Sequence, residues 1–259
     1  MPIIRMILLL LVFCCVGKTY GQTSQQAEFN KLALIVNEER SVAGLTKRLD
    51  TLLKHYMPSR SQVVRNIYRP LDVGFYHIRY QVSYWRMNYF INVLMKNDSI
   101  FMLTAYNCED LWGNASDYKD APKHLRLYQY DSVGASTFLR LRNRIYRSEK
   151  TLDDLVNELS TSTMYAMHCG DGNPLTSRGK HIYALIKEEN PFPEIARMLQ
   201  HLLPEEQAYG VTAIDMLIKK GVDINNRNYL LYRHIKKRNT AVNTCSGCSA
   251  GLVEPLYSN

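Results

Sequence analysis

Residues 83–106 read SYWRMNYFINVLMKNDSIFMLTAY. In the first half Trp85, Met87, Tyr89, Ile91, Val93 and Met95 alternate with Arg86, Asn88, Phe90, Asn92 and Leu94. That is a mostly period-two pattern, the mark of a half-buried strand. The stretch KNDS, Lys96–Ser99, has the composition of a turn. IFMLTAY, Ile100–Tyr106, returns as a second strand, and upstream VGFYHIRYQV, Val73–Val82, reads as a third. HLRLYQY, His124–Tyr130, supplies a candidate fourth. Strands joined by links this short pair as an antiparallel meander.

On both sides of this sheet the period is helical. Gln25–Tyr56 reads as helix, with Leu45, Leu49, Leu52, Leu53 and Tyr56 on one apolar stripe, Gly44 as the divider of two helices and Pro58 as the stop. From Ser132 onward the pattern is helical again. TLDDLVNEL opens with Thr151 as N-cap and Asp154 at the third helical position, and it runs toward the glycine-rich loop HCGDGNP. A further helix is expected over Ser177–Glu189. Pro193 and Pro204 stand where helices begin, Gly221 just past a helix end, and a last helix covers Asn226–Arg238. The expected class is α+β: N-terminal helices, a small antiparallel β-meander, then an array of short antiparallel helices.

Within that array LLPEEQAYGVTAIDMLIKKGVDIN, Leu202–Asn225, resembles one unit of a HEAT-like helical repeat through Pro204, Ala208, Ala213, Ile214, Leu217 and Gly221. Leu202–Asn225 covers one unit, or two with Pro193–Leu203, so that the resemblance spans residues 193–225. No period recurs three times, as a solenoid requires. The resemblance implies a helical scaffold that presents a surface rather than a reaction; the alternative is an irregular helical bundle packed on the sheet.

The first residues set the expected compartment. MPIIRM carries Arg5, and the apolar run Ile7–Val16 is closed by Gly17 and Lys18. The run is roughly 10 residues, the length of a signal-peptide core and well short of a membrane span. Thr19 and Gly21 place cleavage before Gln22. Cys14 and Cys15 follow Phe13 and Cys14 rather than a small residue, which argues against a lipid anchor. The organisation read from the chain is a signal peptide at 1–21, a helical hairpin plus antiparallel sheet at 22–130, a helical domain at 131–240 and a cysteine-containing tail at 241–259. The expectation is an exported protein, periplasmic or extracellular, soluble after cleavage. The leader style is that of a Gram-negative envelope protein, where the sequons at Asn97 and Asn114 would be silent.

The chain carries a net charge of +8. Removing Arg5 and Lys18 with the leader leaves 30 basic and 24 acidic side chains, or +6. Outside the cytoplasm such a balance points away from nucleic acid. The first reading is charge that only keeps the protein soluble; the partners it would otherwise suit are an acidic protein or, less favoured, an anionic membrane surface. The 18 tyrosines against 7 phenylalanines suit half-buried strand positions and binding faces alike. Two runs concentrate the cations. FLRLRNRIYR holds Arg140, Arg142, Arg144 and Arg147, the candidate anion or partner face, and YRHIKKR holds Arg233, His234, Lys236, Lys237 and Arg238.

Four cysteines remain after the leader: Cys108, Cys169, Cys245 and Cys248. An even number in an exported chain favours disulfides, and four allow three pairings. A Cys108–Cys169 bond would close a large loop and a Cys245–Cys248 bond a very small ring. The CSGC stretch also admits a thiol–disulfide reading. Against it, only 11 residues follow Cys248, too few for the helix and strands of a thioredoxin-type site. A zinc knuckle lacks its second ligand pair. His168, Cys169 and Asp171 in MHCGDGNP read as a turn rather than a nucleophile and its base. No HExxH, GxSxG or SxxK occurs, and no cofactor or metal site is expected. The favoured expectation is a macromolecule-binding protein of immunity or adaptor type, the alternative a small thiol–disulfide redox protein using Cys245 and Cys248.

Overall fold

The computed structural model describes residues 30–56, 61–84, 87–107, 126–161, 164–246 and 249–257. The leader, Trp85, Cys108, Asn114 and Cys248 lie outside the described residues. The protein is α+β, with helices on either side of a central antiparallel sheet. Helix α1 (residues 30–38) and α2 (Val42–Tyr56) precede five strands: β1 (Ser61–Pro70), β2 (Tyr76–Tyr84), β3 (Met87–Lys96), β4 (Ser99–Asn107) and β5 (Arg126–Tyr130). They form a meander in the order β1-β2-β3-β4-β5. Then come α3 (Ser132–Tyr146), α4 (Leu152–Leu159), α5 (Ser177–Leu185), α6 (Phe192–Leu199), α7 (Pro204–Lys219) and α8 (Asn226–Arg238). A hairpin of β6 (Val242–Ser246) and β7 (Ser249–Glu254) follows.

The turn that decides the sheet is at Asn97–Asp98. Both residues have positive φ, 50° and 65°, and Lys96 pairs with Ser99 across them. Asn and Asp tolerate the left-handed region, which gives a two-residue hairpin turn whose twist matches the strands. Strand β3 is buried on both faces rather than half-buried. Tyr89, Ile91, Val93 and Met95 pack with Leu32, Ile35, Val36, Leu45 and Leu49 of the N-terminal helices. Leu94 packs instead with Phe138, Leu155 and Leu159 of the helical half. Leu94 interrupts the alternation because the helical half covers it, and Phe90 because it is buried against Tyr106 with Arg79 over its ring.

Strand β1 was not anticipated. A bulge between Arg65 and Ile67 interrupts its register against β2 and breaks the alternation that marks a strand. Gly44 does not divide the first two helices. The chain turns at residues 39–40, and Ser41 Oγ accepts a hydrogen bond from the Gly44 amide at 3.0 Å. A Cβ on Gly44 would lie 2.9 Å from that oxygen, so the glycine permits the close first turn. The link is stitched to the sheet: the Val42 amide donates to Asp98 O and the Ile100 amide to Arg40 O.

In the helical half the capping box at Thr151 and Asp154 forms with both reciprocal bonds. Helix α4 stops at Leu159, and α5 stops at Leu185, short of Glu189. Pro204 opens α7, and Gly221, at φ 76°, closes it. There the Val222 amide donates to Leu217 O, the wrap that a glycine just past a helix end makes possible. Helix α7 is the centre of this half, with Tyr209, Val211, Ala213, Ile214 and Leu217 buried against α5, α6 and α8. Residues 242–254 lie in the cysteine-containing C-terminal segment. They are the hairpin β6–β7, held by backbone bonds between Tyr165 and residues Asn243 and Cys245. Among the described residues no helix is long and apolar enough to cross a membrane.

Candidate functional site

Charge in this molecule is arranged in two ways, and the difference locates the site. The first arrangement is a seam where the sheet meets the helical half. Arg69 of β1 forks onto Glu205 of α7, Nη1 to Oε1 at 2.5 Å and Nη2 to Oε2 at 3.0 Å, with both side chains 1% exposed. Arg69 Nη1 also donates to Ala241 O, and Nε donates to His77 Nδ1 at 3.1 Å. That donation fixes the His77 tautomer, so Nε2–H faces Asn92 Oδ1 at 2.9 Å. Asn92 Nδ2 and Thr104 Oγ1 then donate to Leu159 O at the end of α4. A chain of bonded groups thus crosses the sheet from Glu205 to a helix terminus. Burial, with the Arg69 cation beside it, lowers the His77 pKa to about 3. Burial alone would raise the Glu205 carboxyl, yet Arg69 outweighs it and holds the group below its ordinary range.

The same seam continues at the β1–β2 turn. Asp72 accepts from Arg238 Nη1 at 2.8 Å and from the Tyr146 hydroxyl at 2.7 Å, and His234 Nε2 lies 2.7 Å from its other oxygen. Arg238 Nη2 donates to Gln207 Oε1. Burial acts to raise the Asp72 carboxyl, but His234, Arg238 and Tyr146 together hold it well below the usual carboxylate range. These groups are consumed in holding the layers together.

The second arrangement is on α3. Its inward face is Ala135, Phe138, Arg142 and Tyr146. Arg142 is 4% exposed. Its Nη2 donates to Gln200 O at 3.0 Å and to His201 O, and its guanidinium lies 4.2 Å over the Tyr146 ring. Arg142 is therefore not part of an exposed face. Arg140, Arg144 and Arg147 are exposed. At about 100° per residue Arg140 and Arg144 lie about 40° apart, with Arg142 on the far side, and Arg147 follows them at the C-cap. Their guanidinium groups make no ion pair or hydrogen bond among the described residues. Helix α3 contains no carboxylate, so nothing on the helix offsets cations spaced three and four apart, an arrangement that costs a few tenths of a kcal/mol per pair.

The stripe ends at an open recess of about 580 Å³ lined by Arg147, Ser148, Glu149, Gln200 and Arg227. Arg147 is the C-cap of α3, in the left-handed region at φ 49°. Its carbonyl accepts from Arg227 Nη2 at 2.5 Å and from Gln200 Nε2 at 3.3 Å, and Gln200 Nε2 also donates to Tyr146 O at 3.1 Å. Ser148 Oγ donates to Asn143 Oδ1 at 2.8 Å. Arg227, Gln200, Ser148 and Glu149 were not anticipated from sequence, because they meet only when the start of α8 closes on the end of α3.

The remaining candidates separate. Cys169 and Cys245 are joined by a disulfide, Cα atoms 5.6 Å apart and 76 residues apart in sequence, so Cys245 is bonded to Cys169 and not to Cys248. His168 faces Asn173 O across a turn containing Gly170 and Gly172, both with positive φ. In the second basic run His234 and Arg238 enter the seam and Lys236 reaches Asp215 at 3.4 Å, while Arg233 and Lys237 are exposed. Among the described residues no group of three His, Cys, Asp or Glu side chains is placed to hold a metal ion. The chain matches no family model, no curated protein and no solved structure.

Proposed function

We propose that this is an exported binding protein, immunity- or adaptor-like in role, that docks an acidic surface of a partner protein on the stripe Arg140, Arg144 and Arg147. The observation that carries this reading is three exposed arginines along the outer side and C-cap of α3 with no carboxylate partner among the described residues. In the seam, by contrast, the carboxylates Glu205 and Asp72 are each matched by cations. A stripe of one sign raises the on-rate and selects partners of the opposite sign. The Cys169–Cys245 bond is compatible with an oxidising compartment. The HEAT-like resemblance of residues 193–225 belongs to the same proposal, as a helical scaffold whose work is to present a surface. Engagement of Cys245 by Cys169 weighs against a CSGC redox centre.

The test uses the mature chain, from Gln22, against an envelope extract of its host. Capture of an acidic protein that is lost in the R140E/R144E/R147E variant and retained in the charge-matched control K187E/K219E/K237E supports the proposal. Equal capture by both variants, or no partner above background, contradicts it.

A further inference from the structure

We infer that the recess at the junction of α3 and α8 is a carboxylate pocket for a peptide, the anchor point of the acidic partner. This rests on the binding role of the α3 stripe and adds the chemistry of the ligand.

Arg227 is held in place by a carbonyl, that of Arg147, and not by a carboxylate. That bond orients the guanidinium without pairing it to an acid. The carbonyl that holds it belongs to the residue whose own guanidinium lines the same recess. Two cations line the recess against a single carboxylate, that of Glu149. A guanidinium fork matches a planar carboxylate, and two forks on one anion give charge-assisted bonds about twice as strong as neutral ones.

The lining also chooses among anions. Arg147, Arg227 and Glu149 sum to one positive charge, so a monoanion neutralises the recess and a phosphate dianion overcharges it. The neutral side chains contribute acceptors. Ser148 Oγ has given its proton to Asn143, and Gln200 has given its amide protons to the carbonyls of Tyr146 and Arg147. What Ser148 Oγ, Gln200 Oε1 and Glu149 offer a ligand is lone pairs. The complementary ligand has a carboxylate flanked by N–H donors. A peptide supplies both, either at its C-terminus or at an Asp or Glu side chain beside main-chain amides.

The experiment follows the arginine Nε–Hε signals of the ¹⁵N-labelled mature chain, assigned with R147K and R227K. Titrants are Ac-Gly-Gly-Gly with a free C-terminus, Ac-Gly-Asp-Gly-amide, Ac-Gly-Gly-Gly-amide and inorganic phosphate. The expected result is saturable movement of the Arg147 and Arg227 signals with one or both carboxylate peptides, the stronger identifying the source, and none with the neutral amide. R147Q is expected to weaken that binding on the order of tenfold, the loss of one charge-assisted pair. Because the Arg147 side chain makes no bond among the described residues, R147Q keeps the test independent of any folding defect in R227Q. Absence of movement, equal movement of Arg140 and Arg144, or phosphate binding as tight as carboxylate each overturns the pocket. If R140E/R144E/R147E loses the partner while R227Q and R147Q retain it, the stripe stands and the pocket falls. If all variants retain the partner, both fall.

Discussion

Arg69 and Arg147 are the same side chain in opposite surroundings. Arg69 is gripped by both oxygens of Glu205, by a backbone carbonyl and by an imidazole, deep between sheet and helices. Arg147 ends a helix, faces an open recess and makes no side-chain bond among the described residues. Stripping water from a guanidinium is costly unless its donors are matched, and Arg69 has that match. An exposed one carries no such penalty, and its charge stays available to a partner. The comparison separates charges that hold the layers together from charges the fold leaves unused. It also explains why strongly shifted groups such as Asp72 and His77 do not mark the site here: their shifts come from neighbours that use them fully.

The hardest blow to this division would come through the seam. Glu205→Ala leaves Arg69 buried without its counter-charge and is expected to cost about 3–5 kcal/mol in chemical denaturation. An Arg69→Met/Glu205→Leu double variant should regain much of that. A loss of only a few tenths would mean the pair is not buried as described. Next in size is the disulfide. Cys169→Ser with Cys245→Ser opens a loop of 76 residues and is expected to cost about 2–4 kcal/mol. Native-state thiol labelling should leave both cysteines untouched in the parent chain.

His77 sharpens the comparison through pH. Its folded pKa of about 3 lies below the ordinary 6.5, so between those values the unfolded chain binds a proton that the folded chain refuses. Stability contributed by neutral His77 is therefore complete above pH 6.5 and falls as pH drops toward 3. The groups facing it, Arg69, Arg79 and Glu205, stay charged over most of that window. At pH 5 the expected loss relative to pH 7 is about 2 kcal/mol, from roughly 1.4 kcal/mol per pH unit. His77→Gln, compared with the parent by urea melts at pH 7 and 5, should remove that slope. An unchanged slope contradicts the buried neutral imidazole.

Much of the architecture was legible locally. The Asn97–Asp98 turn, the Thr151–Asp154 capping box, Pro204 and Gly221 each report their own backbone geometry, and none needs a distant partner. What failed was non-local. Strand β1 hid behind the bulge before Ile67, and the second buried face of β3 depended on helices far along the chain. The Cys169–Cys245 bond was one of three pairings that sequence alone does not rank. For the site, the arginine run was visible, but treating four arginines as one face ignored helical geometry. The spacing of 140 and 144 already sets Arg142 apart, and the inward companions Phe138 and Tyr146 say why it is buried. Arg227 left no local signal, since it enters only through the packing of α8 on α3.

The most direct measurement sets stability beside binding for the stripe. The parent chain, R140E/R144E/R147E and K187E/K219E/K237E are compared by thermal melt and by salt-dependent retention of the captured partner. The account predicts that all three melt alike, to within about 0.5 kcal/mol as expected for exposed positions, and that only the stripe variant loses the partner. A stripe variant that unfolds early yet still holds the partner would show that these arginines belong to the scaffold and that the binding surface lies elsewhere.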